Sequence, residues 1–276
     1  PLDSERMGRF EVLAAKLRGE PLPHRDATAV NEPARSTFAF LESYFSNFIE
    51  GTQCAIEEAR DIALYGRIFE QRPKDSHDIL GVFTLALQSP WRDTVPPFGA
   101  DFPGELAKRQ ALMMAKRPEC NPGHFKLEPN RAGNTGFVDP QLVRGTLIEG
   151  SSLAKSVPEG LARAIYYAFL VSEIHPFSDG NGRISRIIMN AELSRSGEAR
   201  IIIPTLFHEE YVDCQRRLTH QDEPTGFIKC LALMQRWTAA FDFSDVDAMI
   251  DAIKGTNALE QSRARFKLTM PDRSPL

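Results

Sequence analysis

Residues 159–174, EGLARAIYYAFLVSEI, are apolar on nearly every side of a helix. A helix that is hydrophobic all round has no face to offer water, so it must run through the centre of a fold. The run ends at His175-Pro176, where the residue before a proline is disfavoured in the α region. A second helical pattern, NGRISRIIMNAELSRSG, follows from Asn181. It carries Ile184, Ile187, Ile188 and Leu193 and stops at Gly197, which suits a C-cap.

The remaining patterns are mostly helical as well. Residues 21–35 are polar and proline-bearing and read as an extended arm. The stretch STFAFLESYFSNFIE places Phe38, Leu41, Phe45, Phe48 and Ile49 at helical spacing up to Gly51, and Ile56, Ala59, Ile62 and Ala63 continue the pattern. Further helices are expected over 77–89, 105–116, 206–219, 225–241 and 244–254. Only residues 123–140 look like a hairpin, with NRAGNTG as its tight turn. The expected fold class is mainly α, with one core and one small β-hairpin. At 276 residues the chain is long enough to bury that core.

The loop between the two central runs, HPFSDGNGRISR at 175–186, concentrates reactive groups. A plain structural account covers part of it: His175-Pro176 ends a helix, Asp179 caps the next, and Gly180 permits the turn. Asn181, Gly182, Arg183 and Arg186 are left over. A chemical account uses them all. Gly180-Asn181-Gly182 opening a helix presents backbone amides at the positive end of the macrodipole, a cradle for an anion. Arg183 and Arg186 are three apart and so are neighbours on the helix surface, able to hold further phosphate oxygens. Asp179, just ahead of the cradle, is the residue to hold Mg²⁺ against those phosphates, the metal role expected here. His175 is the one group that can take a proton near neutral pH. Together they describe a hydroxyl deprotonated by histidine and attacking a metal-bound nucleotide phosphate.

Composition narrows the partners. A net charge of −4 argues against a general nucleic-acid binder, whose footprint is basic. The four cysteines, Cys54, Cys120, Cys214 and Cys230, form no C-x-x-C pair and read as reduced thiols. No apolar run approaches a membrane span, and the amino terminus lacks a signal-peptide apolar stretch, so a cytoplasmic location and no membrane partner are expected.

The 175–186 stretch resembles the signature of the Fic family, His-x-Phe-x-(Asp/Glu)-Gly-Asn-Gly-Arg-x-x-Arg. His175, Phe177, Asp179, Gly180, Asn181, Gly182, Arg183 and Arg186 fill all eight specified positions. The resemblance implies transfer of AMP from ATP, with Mg²⁺, to a Ser, Thr or Tyr hydroxyl on a target protein, the enzyme itself included. His175 is then the base, Asp179 the metal ligand, and Phe177 a core anchor. The Gly180–Gly182 amides and Asn181 hold phosphates, and Arg183 and Arg186 hold the β/γ end. It further implies that the hairpin around Gly133, Asn134, Thr135 and Gly136 is a flap aligning the target segment by strand addition. Tyr211 falls where relatives place an aromatic residue near the adenosine; plain core packing explains it equally well. Relatives with a Tyr-Tyr pair there differ from this chain, which has Glu210 before Tyr211 and Leu218 or Thr219 where they carry an asparagine. His208 and His220 have no third ligand at metal spacing and read as structural or solvent-facing.

Ser46, Glu50 and Gly51 lie in SNFIEG, residues 46–51. Ser46 and Glu50 share a helix face, and a carboxylate at a helix C-terminus is disfavoured by the dipole, so Glu50 should seek a cation elsewhere. By resemblance, a Ser-x-x-x-Glu-Gly ahead of the core marks a self-inhibited class in which the glutamate pairs with the second signature arginine, here Arg186. The chain then divides into an arm with a first helix (1–35), an inhibitory-helix region (36–72), a Fic core (73–243) with its flap near 123–140, and a C-terminal helix and tail (244–276). Removal of AMP by water, transfer of another phosphate-containing group, and a non-catalytic nucleotide-binding module are the alternative functions; a homodimer is left open.

Overall fold

The computed structural model describes all residues, 1–276. Eleven α-helices follow in order: α1 (Ser4–Gly19), α2 (Glu32–Ile49), α3 (Ile56–Tyr65), α4 (Pro73–Leu87), α5 (Phe102–Met113), α6 (Val143–Leu153), α7 (Leu161–Ile174), α8 (Asn181–Arg195), α9 (His208–Gln221), α10 (Thr225–Ala239) and α11 (Val246–Gly255). One antiparallel hairpin, β1 (Arg131–Ala132) and β2 (Thr135–Gly136), stands between α5 and α6. Arg131 pairs with Gly136 and Ala132 with Thr135, which leaves Gly133-Asn134 as the turn, with Gly133 at φ +57°. No helix is long and apolar enough to cross a membrane.

The chain is mainly α around one core: a single cluster of 66 buried apolar residues runs from Phe10 to Met270. The arm, the core region and the tail therefore share one interior. Helix α7 lies at its centre with all 14 residues buried, as its uniformly apolar sequence requires. It packs along α8, and α2 packs along α4 and also reaches α8. Phe10 of α1 meets Tyr166 and Phe169 of α7 edge-on at 6.3 and 5.9 Å, so the first helix is part of the core.

Several boundaries differ from the sequence pattern for one physical reason. Helix α2 begins at Glu32, not within the arm expected through 35: Asn31 accepts the Ala34 amide at 3.0 Å and Pro33 sits in the first turn. Pro73 and Pro103 open α4 and α5 in the same way, so those helices start three or four residues earlier than the apolar periodicity suggests. Helix α6 was absent from the expected set; its sequence VRGTLIEGSSL carries two glycines and a weak pattern.

Candidate active site

The loop from α7 to α8 is built by two left-handed residues. His175 caps α7 at φ +53°, ψ +57°, an unfavourable conformation for a side chain with a Cβ and one that recurs at functional sites. Gly180 caps the start of α8 at φ +82°. That φ favours glycine, and a Cβ there would also press on the flexible methionine ends, 2.9 Å from Met113 Cε and 3.2 Å from Met114 Sδ. Phe177 is fully buried beneath the loop.

Asn181 closes the loop. Its Oδ1 accepts the Phe177 amide at 2.9 Å, and its Nδ2 donates to the Phe177 carbonyl at 2.8 Å. Both ends of the side chain are thus engaged by backbone, and it is the loop's shape that Asn181 secures. The amides of Asn181, Gly182 and Arg183 have no protein acceptor, whereas Ile184 returns to Gly180 O at 2.9 Å. Those three free N–H groups point out of the positive end of a 15-residue helix.

His175 is held as a neutral base. Its Nδ1 donates to Ser172 O at 3.0 Å, which leaves the unprotonated Nε2 as the free ring nitrogen. The ring stacks on Phe137, just past β2, with centroids 3.7 Å apart and planes 7° from parallel. Burial pushes the imidazole down to about 4, although the Ser172 hydrogen bond and the carboxylates of Glu50 and Asp179 oppose that shift. His175, Phe137, Gly182, Arg186, Glu50 and Tyr211 line one cleft of about 190 Å³.

The two signature arginines do not share a grip. Arg186 faces the cleft: Nη2 donates to Glu50 Oε1 at 2.7 Å, and the guanidinium also reaches Ser46 Oγ at 3.0 Å and Ser46 O at 3.2 Å. Arg183 turns towards α2 and α4, with Asn47 Oδ1 at 3.3 Å, Asp78 Oδ2 at 3.8 Å and Asp179 Oδ1 at 3.2 Å. Although i and i+3 positions neighbour one another, Asn47 and Asp78 capture one guanidinium and Ser46 and Glu50 the other.

Glu50 follows α2 as its cap residue, with Gly51 at φ +98° turning the chain away. Burial opposes its charge, but Arg186, with Arg183 and His175, more than offsets it and holds the carboxyl below the usual range. Its Oε1 also sits where a Cβ of Gly182 would be, directly over the start of α8. The cation that Glu50 lacks at its own helix end is found on α8.

Asp179 is half exposed beside the cradle. Its Oδ1 accepts from Gly180 N at 2.7 Å and from Arg183, while Oδ2 has only the Cys120 thiol, at 3.8 Å. No group of three His, Cys, Asp or Glu side chains converges anywhere to form an all-protein metal cage. One open carboxylate fits a cation such as Mg²⁺, which keeps waters and takes its other oxygens from substrate phosphates.

Tyr211 is buried against Phe227, ring centroids 5.9 Å apart, and its hydroxyl lies beside Arg186 without a hydrogen-bond partner. It both packs in the core and lines the cleft. His208 lines the cleft too, its imidazole lowered by burial and by Arg186. His220 Nε2 meets Thr135 Oγ1 of the hairpin at 2.9 Å. Sequence reasoning passed over Lys126 and Asn130. Lys126 Nζ donates to Asn130 Oδ1 at 2.6 Å, and Asn130 Nδ2 donates to His175 O and Phe177 O at 3.3 and 3.0 Å. These two residues stitch the base of the hairpin to the loop. The signal was faint: an amide three positions before the hairpin turn reads as turn chemistry alone.

Residues 103–193 match the Fic/DOC family. The protein adenylyltransferase Fic of Drosophila persimilis is 36% identical over 233 residues, 81% of this chain and 44% of that protein. Protein adenylyltransferase fic-1 of Caenorhabditis elegans is 26% identical over 209 residues, 71% of this chain and 39% of that protein. The chain thus spans less than half the length of these relatives. Fic-1 of C. elegans, solved over residues 134–508, superposes with a TM-score of 0.60 at 19% identity, covering 91% of this chain and 73% of that one. A Fic family protein of Desulfovibrio desulfuricans gives 0.58 at 18%, covering 96% and 82%. At those identities the likeness is one of fold.

Proposed function

The chain carries a Fic/DOC-family domain, and on that premise we propose that it transfers AMP from ATP to a hydroxyl side chain of a protein, itself included, and that Glu50 holds this activity in check. The observation that carries the reading is the meeting of a neutral His175, whose Nε2 is free, with three unpaired amides at the start of α8. A hydroxyl oxygen of the target forms a bond to the α-phosphorus while the bond to the pyrophosphate oxygen breaks. The hydroxyl proton passes to His175 Nε2, and pyrophosphate leaves with both electrons of the broken bond.

The free amides of Asn181, Gly182 and Arg183 suit phosphate oxygens, since backbone N–H groups at a helix N-terminus need no reorganisation to meet negative charge. Arg186 is the cleft-facing cation for the far end of the triphosphate once Glu50 releases it. Asp179 would hold Mg²⁺, which when bound neutralises phosphate charge. Hairpin residues Gly133 to Gly136 offer a strand edge to an extended target segment beside the Phe137–His175 stack. Tyr211, walling the cleft beside Arg186, is the candidate neighbour of the nucleoside.

The test uses ATP labelled at either the α or the γ phosphorus, incubated with the protein and candidate targets. The α label, and not the γ label, should appear on protein. His175→Ala should abolish that transfer while ATP still binds with nearly unchanged affinity. Transfer of the γ label would mean kinase chemistry, and undiminished transfer by His175→Ala would remove the histidine from the reaction.

A further inference from the structure

Towards the N-terminal end of α2, away from the cleft at its C-terminal end, a second and smaller cavity is walled by Ala27 to Ala29 of the arm, Arg35 of α2, Arg92 after α4, and Arg200 after α8. Three guanidiniums line it. Arg200 is fully engaged: its Nε and Nη2 each meet Glu42 at 2.8 Å, and Nη1 donates to Arg92 O, Asn190 O and Ser194 Oγ. Glu42 is hydrogen-bonded to Arg200 and to neither of the other two, and it reaches Arg92 only through its charge.

Arg35 and Arg92 lack such partners. Arg35 forms no ion pair, and its Nε is buried with no hydrogen-bond acceptor. The Arg92 side chain makes no hydrogen bond and has only Asp93 at 3.6 Å. Burial, and then the charges of Arg35 and Arg200, hold its guanidinium below the usual range. The one carboxylate among the lining residues is that of Glu198. It takes a backbone hydrogen bond from Leu161 and faces His24 at 3.6 Å. Two sheltered guanidiniums beside a third, neither of the two hydrogen-bonded to any protein acceptor, form an arrangement that an anion from outside would complete.

We propose that this cavity binds a phosphate-type oxyanion of the size of inorganic phosphate, held between Arg35 and Arg92. Its volume is about 40 Å³. A single water needs roughly 10–15 Å³ of such space, so the cavity admits a group of a few heavy atoms and excludes a nucleotide. Guanidinium donors lie in a planar fork that takes two acceptor oxygens at once. A carboxylate satisfies one fork, whereas a phosphate has oxygens for two forks from different segments. The site is separate from the cradle on α8, and nothing in the AMP-transfer reading depends on it.

Thermal melting of the whole chain in inorganic phosphate, against chloride and acetate at equal ionic strength, tests the proposal. Saturating phosphate should raise Tm by about 3 °C over both controls. Arg35→Gln and Arg92→Gln should each lose most of that increment. Arg35→Gln should melt with the wild type in chloride, because its guanidinium has no ion-pair partner to lose, and Arg92→Gln should fall by no more than the loss of its 3.6 Å contact with Asp93. Arg186→Gln, at the other anion site, should keep the increment. The proposal is overturned if acetate stabilises equally, if the increment survives in Arg35→Gln and Arg92→Gln, or if it vanishes in Arg186→Gln.

Discussion

Glu50 and Arg186, 136 residues apart in sequence, meet at 2.7 Å between Oε1 and Nη2. They are the second of two ion pairs along one face of α2: Glu42 with Arg200 comes first, and Ser46, bonded to Arg186 Nε at 3.0 Å, lies between them. The spacing is i, i+4, i+8, which places all three on one helix stripe. The carboxylate of Glu50 satisfies Arg186 and covers the positive end of α8, the two features that an incoming triphosphate would use.

The stacking of Phe137 on His175 sets an expected pH profile. The ordinary histidine value is 6.5, and burial lowers this one to about 4. The imidazole is therefore neutral throughout pH 6 to 8, and transfer should show no inflection near 6.5 from this group. Folding stability should follow the same sign. The unfolded chain takes up the proton near 6.5 and the folded chain only near 4, so acidification across that window favours unfolding. Phe137→Ala admits water, raises the histidine toward its ordinary value, and should bring an acidic inflection into the profile of kcat. Lys126, Glu50 and Asp179 also face the ring electrostatically and remain in that variant. An unchanged profile in Phe137→Ala would mean that the stack does not govern the base.

Asn181→Ala should lower stability, since the side chain spans the Phe177 amide and carbonyl across the loop. The buried amide has no other acceptor, while the carbonyl keeps Asn130. A loss of about 1–3 kcal/mol is expected, read as a Tm lower by about 3–8 °C. A variant that melts with the wild type would show the loop to be held by Gly180 and Phe177 alone.

Asp179→Ala should abolish metal-dependent transfer, with no rescue as Mg²⁺ is raised, because Asp179 Oδ2, which has only the Cys120 thiol beside it, is the open carboxylate oxygen of the signature loop itself. ATP binding measured without metal should change little. Full rescue at high Mg²⁺ would mean that phosphates and water alone hold the ion.

The two central helices were legible because burial on all sides leaves a strong mark, and the loop because its residues are unusual together. Helix starts were misjudged where Pro33, Pro73 and Pro103 stood: a proline reads as a break, yet its missing N–H costs nothing in the first turn. The directions of Arg183 and Arg186 could not be read from spacing. They depend on Asn47 and Asp78, which long-range packing brings to α8. The need of Glu50 for a cation was visible in its place at a helix C-terminus, but physics did not say which cation. The oxyanion cavity had no local signal, because Arg35, Arg92 and Arg200 come from three separate segments.

The rate of α-label incorporation by Glu50→Gly, compared with the wild type, tests the central claim most directly. With Glu50 in place, the far phosphate must displace a carboxylate from Arg186 or lie beside it with like charge. A misplacement of about 1 Å at the reacting centre can cost on the order of 100-fold. Removing the carboxylate should raise self-modification about tenfold or more, equivalent to about 1.4 kcal/mol of barrier. The gain should disappear when Arg186→Ala is added, since the freed arginine does the positioning. Equal rates of incorporation by Glu50→Gly and wild type, with Arg186 intact, would contradict the account and leave SNFIEG as a helix end and nothing more.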